Sequence, residues 1–155
     1  MTRLFTIGYE GATPNALADA LATAGVETLV DVRAVANSRR PGFSKRALAA
    51  QVEERGVGYL HMRALGTPAD GRAAARSGRH DDMRRIFAAH LETDAAKEEL
   101  AALKALTRTG KKLCLLCFER ESEHCHRLMI AERVDAELDI EIEHLHALPA
   151  TFERP

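Results

Sequence analysis

The sequence predicts a single α/β domain, a mainly parallel central sheet with helices on both faces. Three observations predict it. Short apolar runs rich in Val, Leu and Ile alternate three times with segments of helical apolar spacing. Gly25, Gly56 and Gly110 fall where helical segments stop. The connections are short, and 155 residues supply one real core but not two comfortable ones.

Arg3–Ile7 reads as the first strand, with Leu4, Phe5 and Ile7 apolar. Gly8-Tyr9-Glu10-Gly11 is a turn whose glycines permit positive φ. Thr13 is placed to cap a helix that begins at Pro14, runs to Ala24 and turns Leu17, Ala18 and Leu21 inward. Val26–Val32 is the second strand. A βαβ opening of this kind requires parallel pairing. Asp31-Val32-Arg33 leads into a loop, 34–43, that carries Asn37, Ser38, Arg39 and Arg40. Ser44 caps a second helix, Lys45–Arg55, and Val57–Met62 is the third strand. Ala69–Arg79 has two glycines, four alanines and no apolar periodicity, which predicts a mobile basic excursion or a poorly anchored helix. Asp81–His90 and Asp94–Thr107 are helices, the second with Leu100, Leu103 and Leu106 on one stripe. Leu113–Phe118 is the fourth strand and Cys125–Glu137 the last major helix. Ile140–His144 alternates apolar and polar like an edge strand with one wet face. No repeat or boundary divides 1–155, and 149–155 is expected to be a loose tail.

The apolar fraction, 46%, is that of an ordinary globular protein, and with 5% aromatic residues the core is mostly Leu, Ala, Val and Ile. Neither a signal peptide nor an apolar run of roughly 20 residues, the length of a membrane span, is visible. Three cysteines, an odd number, argue against a disulfide framework and for a reduced, cytoplasmic setting. The net charge of −1 conceals an asymmetry. Arg33–Arg85 holds 12 Lys or Arg against 5 Asp or Glu, and the remainder holds 10 against 18. A basic middle third suits an anionic partner, either a small molecule or nucleic acid. Solvated helix faces would give the same count.

The expected site lies where the fourth strand ends and the last helix begins, since ligands of open α/β sheets sit outside the carboxyl ends of strands. Cys117 ends that strand. Cys125 opens the helix, where unpaired N–H groups lower a thiol pKa. Both are candidate nucleophiles, and both are also of the residue type most often simply buried. Cys114 alternates with its strand neighbours and reads as core. His61, at the end of the third strand, is a candidate acid or base, or else a satisfied core histidine. Arg33, Arg39 and Arg127 are candidate anion ligands through their guanidinium forks. Arg33 has Asp31 or Glu119 as alternative partners. Tyr9, Asp31, Tyr59, Glu119 and His126 complete the expected rim. The Cys-x5-Arg phosphatase pattern is absent, because Glu123 stands in the arginine position. No metal site is assigned, since no C-x2-C pair exists and residues 124, 125 and 126 do not easily face one ion.

Five pieces, in order, carry a resemblance. They are Thr6-Ile7-Gly8-Tyr9-Glu10-Gly11; Asp31-Val32-Arg33; Ser38-Arg39 with Phe43; Tyr59, His61 and Leu65-Gly66; and Cys117-x-Glu119 with Cys125-His126-Arg127. In these the chain resembles the domain-of-unknown-function 488 family. The resemblance implies a Rossmann-like three-layer α/β sandwich. It implies no activity, and the cofactor is left open.

Two classes of function fit the residues. One is an enzyme on a phosphate-bearing or other anionic small molecule, held by Arg33, Arg39 and Arg127, with His61 as acid or base and Cys117 or Cys125 as nucleophile. The other is a binding module that takes nucleic acid or a nucleotide without catalysis. With few aromatics to stack bases (Tyr9, Phe43, Tyr59), that contact would be phosphate-led and salt-sensitive. On either reading Arg127→Lys is expected to weaken anion binding and barely move stability.

Overall fold

The computed structural model describes residues 2–147. Five strands, β1 (Arg3–Gly8), β2 (Thr28–Asp31), β3 (Gly58–His61), β4 (Leu113–Cys117) and β5 (Glu141–Leu145), form one sheet in the order β3-β2-β4-β1-β5. Every pairing is parallel. The helices are α1 (Pro14–Ala24), α2 (Lys45–Glu53), α3 (Ala69–Arg76), α4 (His80–His90), α5 (Asp94–Arg108) and α6 (His126–Leu138). Short 3-10 turns occupy Arg63–Leu65 and Ser122–His124. The α/β fold with its Rossmann-like order is thus as the sequence predicts. The expected tail at 149–155 lies outside the described residues.

Side chains alternate across the sheet, which divides the core in two. Phe5, Ile7, Leu29, Cys114 and Leu116 pack with Leu17 and Leu21 of α1 and Leu48 and Val52 of α2. Leu4, Val30, Leu113, Leu115 and Cys117 pack on the other face with residues of α3 to α6. β4 is the middle strand and all five of its residues are buried. Covered on both faces, it has no reason to alternate apolar with polar, and Leu-Cys-Leu-Leu-Cys does not. Among the described residues no helix is long and apolar enough to cross a membrane.

Local chemistry sets most boundaries as expected. Thr13 Oγ1 accepts the Ala16 N–H at 3.1 Å, Pro14 opens α1, and Gly25 closes it at φ 77°. Ser44 stands at the N-cap of α2, but its hydroxyl accepts the Ser38 N–H at 3.0 Å and braces the preceding loop instead of the helix. Gly8 is needed for space rather than for positive φ: a Cβ there would lie 1.7 Å from the Glu119 carbonyl oxygen. The segment predicted as a mobile excursion or a poorly anchored helix is helix α3, with Gly71 and Ala74 buried. It packs through small residues, so it shows no large-apolar periodicity. A Cβ on Gly71 would meet Ile86 of α4 at 3.2 Å.

The connections leaving β1 and β2 run through α1 and α2 on one face, and the connection leaving β4 runs through α6 on the other. Neighbouring strands whose connections part this way open a crevice at their carboxyl ends. Here the crevice lies outside β4, between β1 and β2. Gly8→Ala is expected to cost about 3 kcal/mol, because backbone must move to admit the methyl. Gly56→Ala, with open space around it and φ 77°, should cost about 1 kcal/mol. Urea unfolding of both variants checks this, and equal losses would show that the approach of Glu119 does not constrain the strand end.

Candidate functional site

The loop after β4 is built around Arg127. Its side chain is fully buried. Nη1 donates to Cys117 Sγ at 3.2 Å and to the Glu119 carbonyl, and Nη2 donates to the Arg120 carbonyl at 3.1 Å. Its Nε finds no partner among the described residues. Burial pulls its pKa down to about 10, against the opposing pull of Cys114 and of Glu119, Glu121 and Glu123. Arg127 therefore lies beneath the loop and does not face the crevice, where the sequence reading placed it as an anion ligand.

Folding the loop back this way brings the Cys117 and Cys125 sulfurs into bonding contact, that of a disulfide where the sequence reading expects two free thiols. Their Cα atoms stand 7.2 Å apart. Disulfides usually span about 4.4–6.8 Å between Cα atoms. Beside them, His126 Nε2 donates to the Val32 carbonyl at 2.7 Å. That bond puts the proton on Nε2 and leaves the Nδ1 lone pair facing Cys125 Sγ at 3.6 Å. Burial holds the imidazole well below its ordinary range, at about 4, despite the Val32 bond, so it is neutral at physiological pH. Phe87 packs edge-on against it at 4.9 Å.

A second network closes the end of β2. Asp31 is fully buried and accepts from Arg33 Nε at 2.9 Å and Nη2 at 2.7 Å, a bidentate pair. Arg33 Nη1 donates to the Phe43 carbonyl at 2.7 Å. Burial alone would lower the pKa of Arg33, but Asp31 outweighs it and raises it. The Tyr59 hydroxyl donates to Asp31, and burial followed by that neighbour pushes the phenol up. His61 Nε2 donates to the Arg33 carbonyl at 2.8 Å. Arg33 reaches the crevice with its fork already committed. His61 opens onto a neighbouring depression with Lys45, Arg63 and Arg72, so the structure does not bring it to the cysteines.

The crevice is a cleft of about 390 Å³. Its floor is Cys117, Cys125 and His126, one wall is the loop with Val35, Asn37, Ser38 and Arg39, and the other is α3 and α4 with Arg72, Ala75, Arg76 and Met83. Tyr9, Phe118 and Glu119 border it on the β1 side. Tyr9 is buried, stacked on Phe43 at 4.6 Å and edge-on to Phe118 at 5.3 Å. Burial, then Glu10, raises the Glu119 carboxyl above its ordinary value. Among the described residues the two exposed large hydrophobics, Val35 at 51% and Phe118 at 43%, both belong to this cleft. His124 also lines it, stacked on His80 at 4.2 Å. Sequence reasoning missed Arg72, Arg76 and Met83. The available signal was the i, i+4 spacing of the two arginines away from the small residues Gly71 and Ala74.

The fold is that of a Rossmann-like α/β protein with a cleft at the carboxyl edge of the sheet. A family model, Domain of unknown function DUF488, matches residues 13–134, and the chain belongs to that family. No curated protein and no solved structure matches it.

The buried setting of Arg127 reverses the expectation for Arg127→Lys. An ammonium keeps the charge but cannot span the Glu119 and Arg120 carbonyls, so stability should fall by about 2–4 kcal/mol. Denaturant midpoints of the two proteins decide it, and an unchanged midpoint would mean that the guanidinium does not hold the loop.

Proposed function

We propose that the cleft binds an anionic small molecule with an apolar body, a phosphate ester being the best fit, and that the protein is an enzyme acting on it at the Cys117–Cys125–His126 floor. One observation carries the reading. Arg39 and Arg76 reach the cleft from two different walls, and neither has a hydrogen-bond or ion-pair partner among the described residues. The other arginines of the basic middle third are mostly committed. Arg33 serves Asp31, Arg40 the carbonyls of Tyr9 and Ala12, Arg55 Asp19, and Arg79, Arg84 and Arg85 the pair Asp81 and Asp82. What remains uncompensated at the cleft is a pair of guanidinium forks, beside Arg72 on the α3 wall, whose Nη1 donates to the Thr67 carbonyl at 2.8 Å, and the free forks suit a phosphate or carboxylate. A mostly apolar lining of this size suits a small molecule and supplies the body's contacts through Val35, Ala75, Met83 and Phe118.

A second reading draws on the adjoining depression of Lys45, His61, Arg63 and Arg72, which shares Ala34, Val35 and Asn37 with the cleft. A nucleic-acid strand crossing that loop would meet basic groups on both sides.

Calorimetry with inorganic phosphate, phenyl phosphate and a short single-stranded oligonucleotide separates the readings. Phenyl phosphate should bind more tightly than phosphate, and Arg39→Ala or Arg76→Ala should each weaken it about tenfold while leaving the melting temperature alone. Tighter oligonucleotide binding with a steep salt dependence would favour the nucleic-acid module. No binding of any of the three would end the anion reading.

A further inference from the structure

The cluster on the cleft floor carries an inference beyond anion binding and independent of it. We propose that Cys117, Cys125 and His126 form a site for one thiophilic divalent cation, with zinc the closest fit, whose fourth coordination position opens into the cleft. The three ligand atoms lie within 4.8 Å of one another, and all three residues are buried yet line the cleft. Two thiolates and one imidazole, with the last position free, is a donor set zinc uses in catalytic sites.

The geometry favours a shared ion over other uses of these side chains. Cys125 Sγ and His126 Nδ1 are 3.6 Å apart. Zn–S near 2.3 Å and Zn–N near 2.05 Å at a tetrahedral angle place sulfur and nitrogen about 3.6 Å apart. The Cα separation of 7.2 Å between the cysteines exceeds the usual disulfide span and leaves room for the sulfurs to part around an ion. His126 is oriented as metal-bound histidines are, with its other ring nitrogen donating to a backbone carbonyl, that of Val32, at 2.7 Å. Arg127 donates to Cys117 Sγ at 3.2 Å, the kind of outer contact that supports a thiolate ligand.

Charge gives the fourth position its preference. Arg127 is buried, and among the described residues no carboxylate bonds to it. Two thiolates neutralise a divalent ion and leave the guanidinium's positive charge over. One anionic ligand on the open position, a hydroxide or an oxygen of a bound anion, makes the whole cluster neutral. Binding the cation releases the two thiol protons to solvent, so affinity rises with pH.

The test uses the full chain, reduced and stripped of metal, titrated with cobalt(II) alone. The expected result is one equivalent bound, with sulfur-to-cobalt charge-transfer bands and the intense visible bands of a tetrahedral ion, all lost on adding zinc. In the wild type, zinc should also slow alkylation of Cys117 and Cys125 at least about tenfold, mapped by mass spectrometry, which requires no variant to fold. Cys117→Ser and His126→Gln should lower zinc affinity about hundredfold with circular dichroism unchanged. Arg39→Ala should leave zinc affinity intact, which separates this site from the anion reading. Weak octahedral cobalt spectra, absence of zinc protection, or oxidation of the cysteine pair at the same rate with and without zinc would overturn the proposal.

Discussion

A buried guanidinium without a carboxylate is the constraint on which the carboxyl edge depends. Desolvating Arg127 costs several kcal/mol, and only well-placed acceptors offset that. Those acceptors are the Glu119 and Arg120 carbonyls and the Cys117 sulfur. Satisfying them forces the chain after β4 to double back over its own strand end, which sets Cys125 beside Cys117. The turn is possible only because Gly8 on the neighbouring strand leaves room for the Glu119 carbonyl. Three residues far apart in the sequence thus specify one loop shape, and the sulfur pair follows from it.

Asp31 does the corresponding work on the β2 side. Its carboxylate holds Arg33, whose remaining N–H reaches Phe43 at the far end of the loop. Arg40 ties the middle of that loop to the Tyr9 and Ala12 carbonyls. The loop is therefore braced from inside, and Arg39 stands on a fixed base. Burial sorts the arginines of this edge by role: Arg33 and Arg127, hidden, shape it, and Arg39 and Arg76, exposed and unpaired among the described residues, carry charge available to a ligand.

Much of the fold was legible because the elements announce themselves locally. Thr13-Pro14, Gly25 and the five-residue apolar run of β4 each have a reason within a few positions of the chain. Helix α3 was legible only as one of two alternatives, and its anchoring was not, because Gly71 and Ala74 pack by being small and small residues leave no periodic signal. At the site, strand ends and helix starts located the cleft, and Cys117, Cys125, His126, Arg33, Arg39, Tyr9 and Glu119 all line it. The sequence could not say which arginines would be spent. Arg33 and Arg39 lie six positions apart, yet one is locked to Asp31 and the other stands free. Asp31, two residues away, is a partner the sequence already offers, and the Phe43 carbonyl is the one that only the folded loop brings to Arg33. His61 ends a strand on the same edge, but it opens onto the neighbouring depression, and the cysteines line the cleft.

The strand order bears on how the protein is made. β1 is the first strand to leave the ribosome, yet both of its neighbours in the sheet, β4 and β5, begin after residue 112. At translation rates of about 5–20 residues per second, the nascent β1 remains without a ladder partner for on the order of ten seconds. β2 and β3 can meet early, but the centre of the sheet stays vacant until Leu113–Cys117 arrives to join the two halves. The strand that ends in Cys117 is then the keystone that joins the two halves, with β5 still to be added at the edge, and the cleft cannot exist before it is laid.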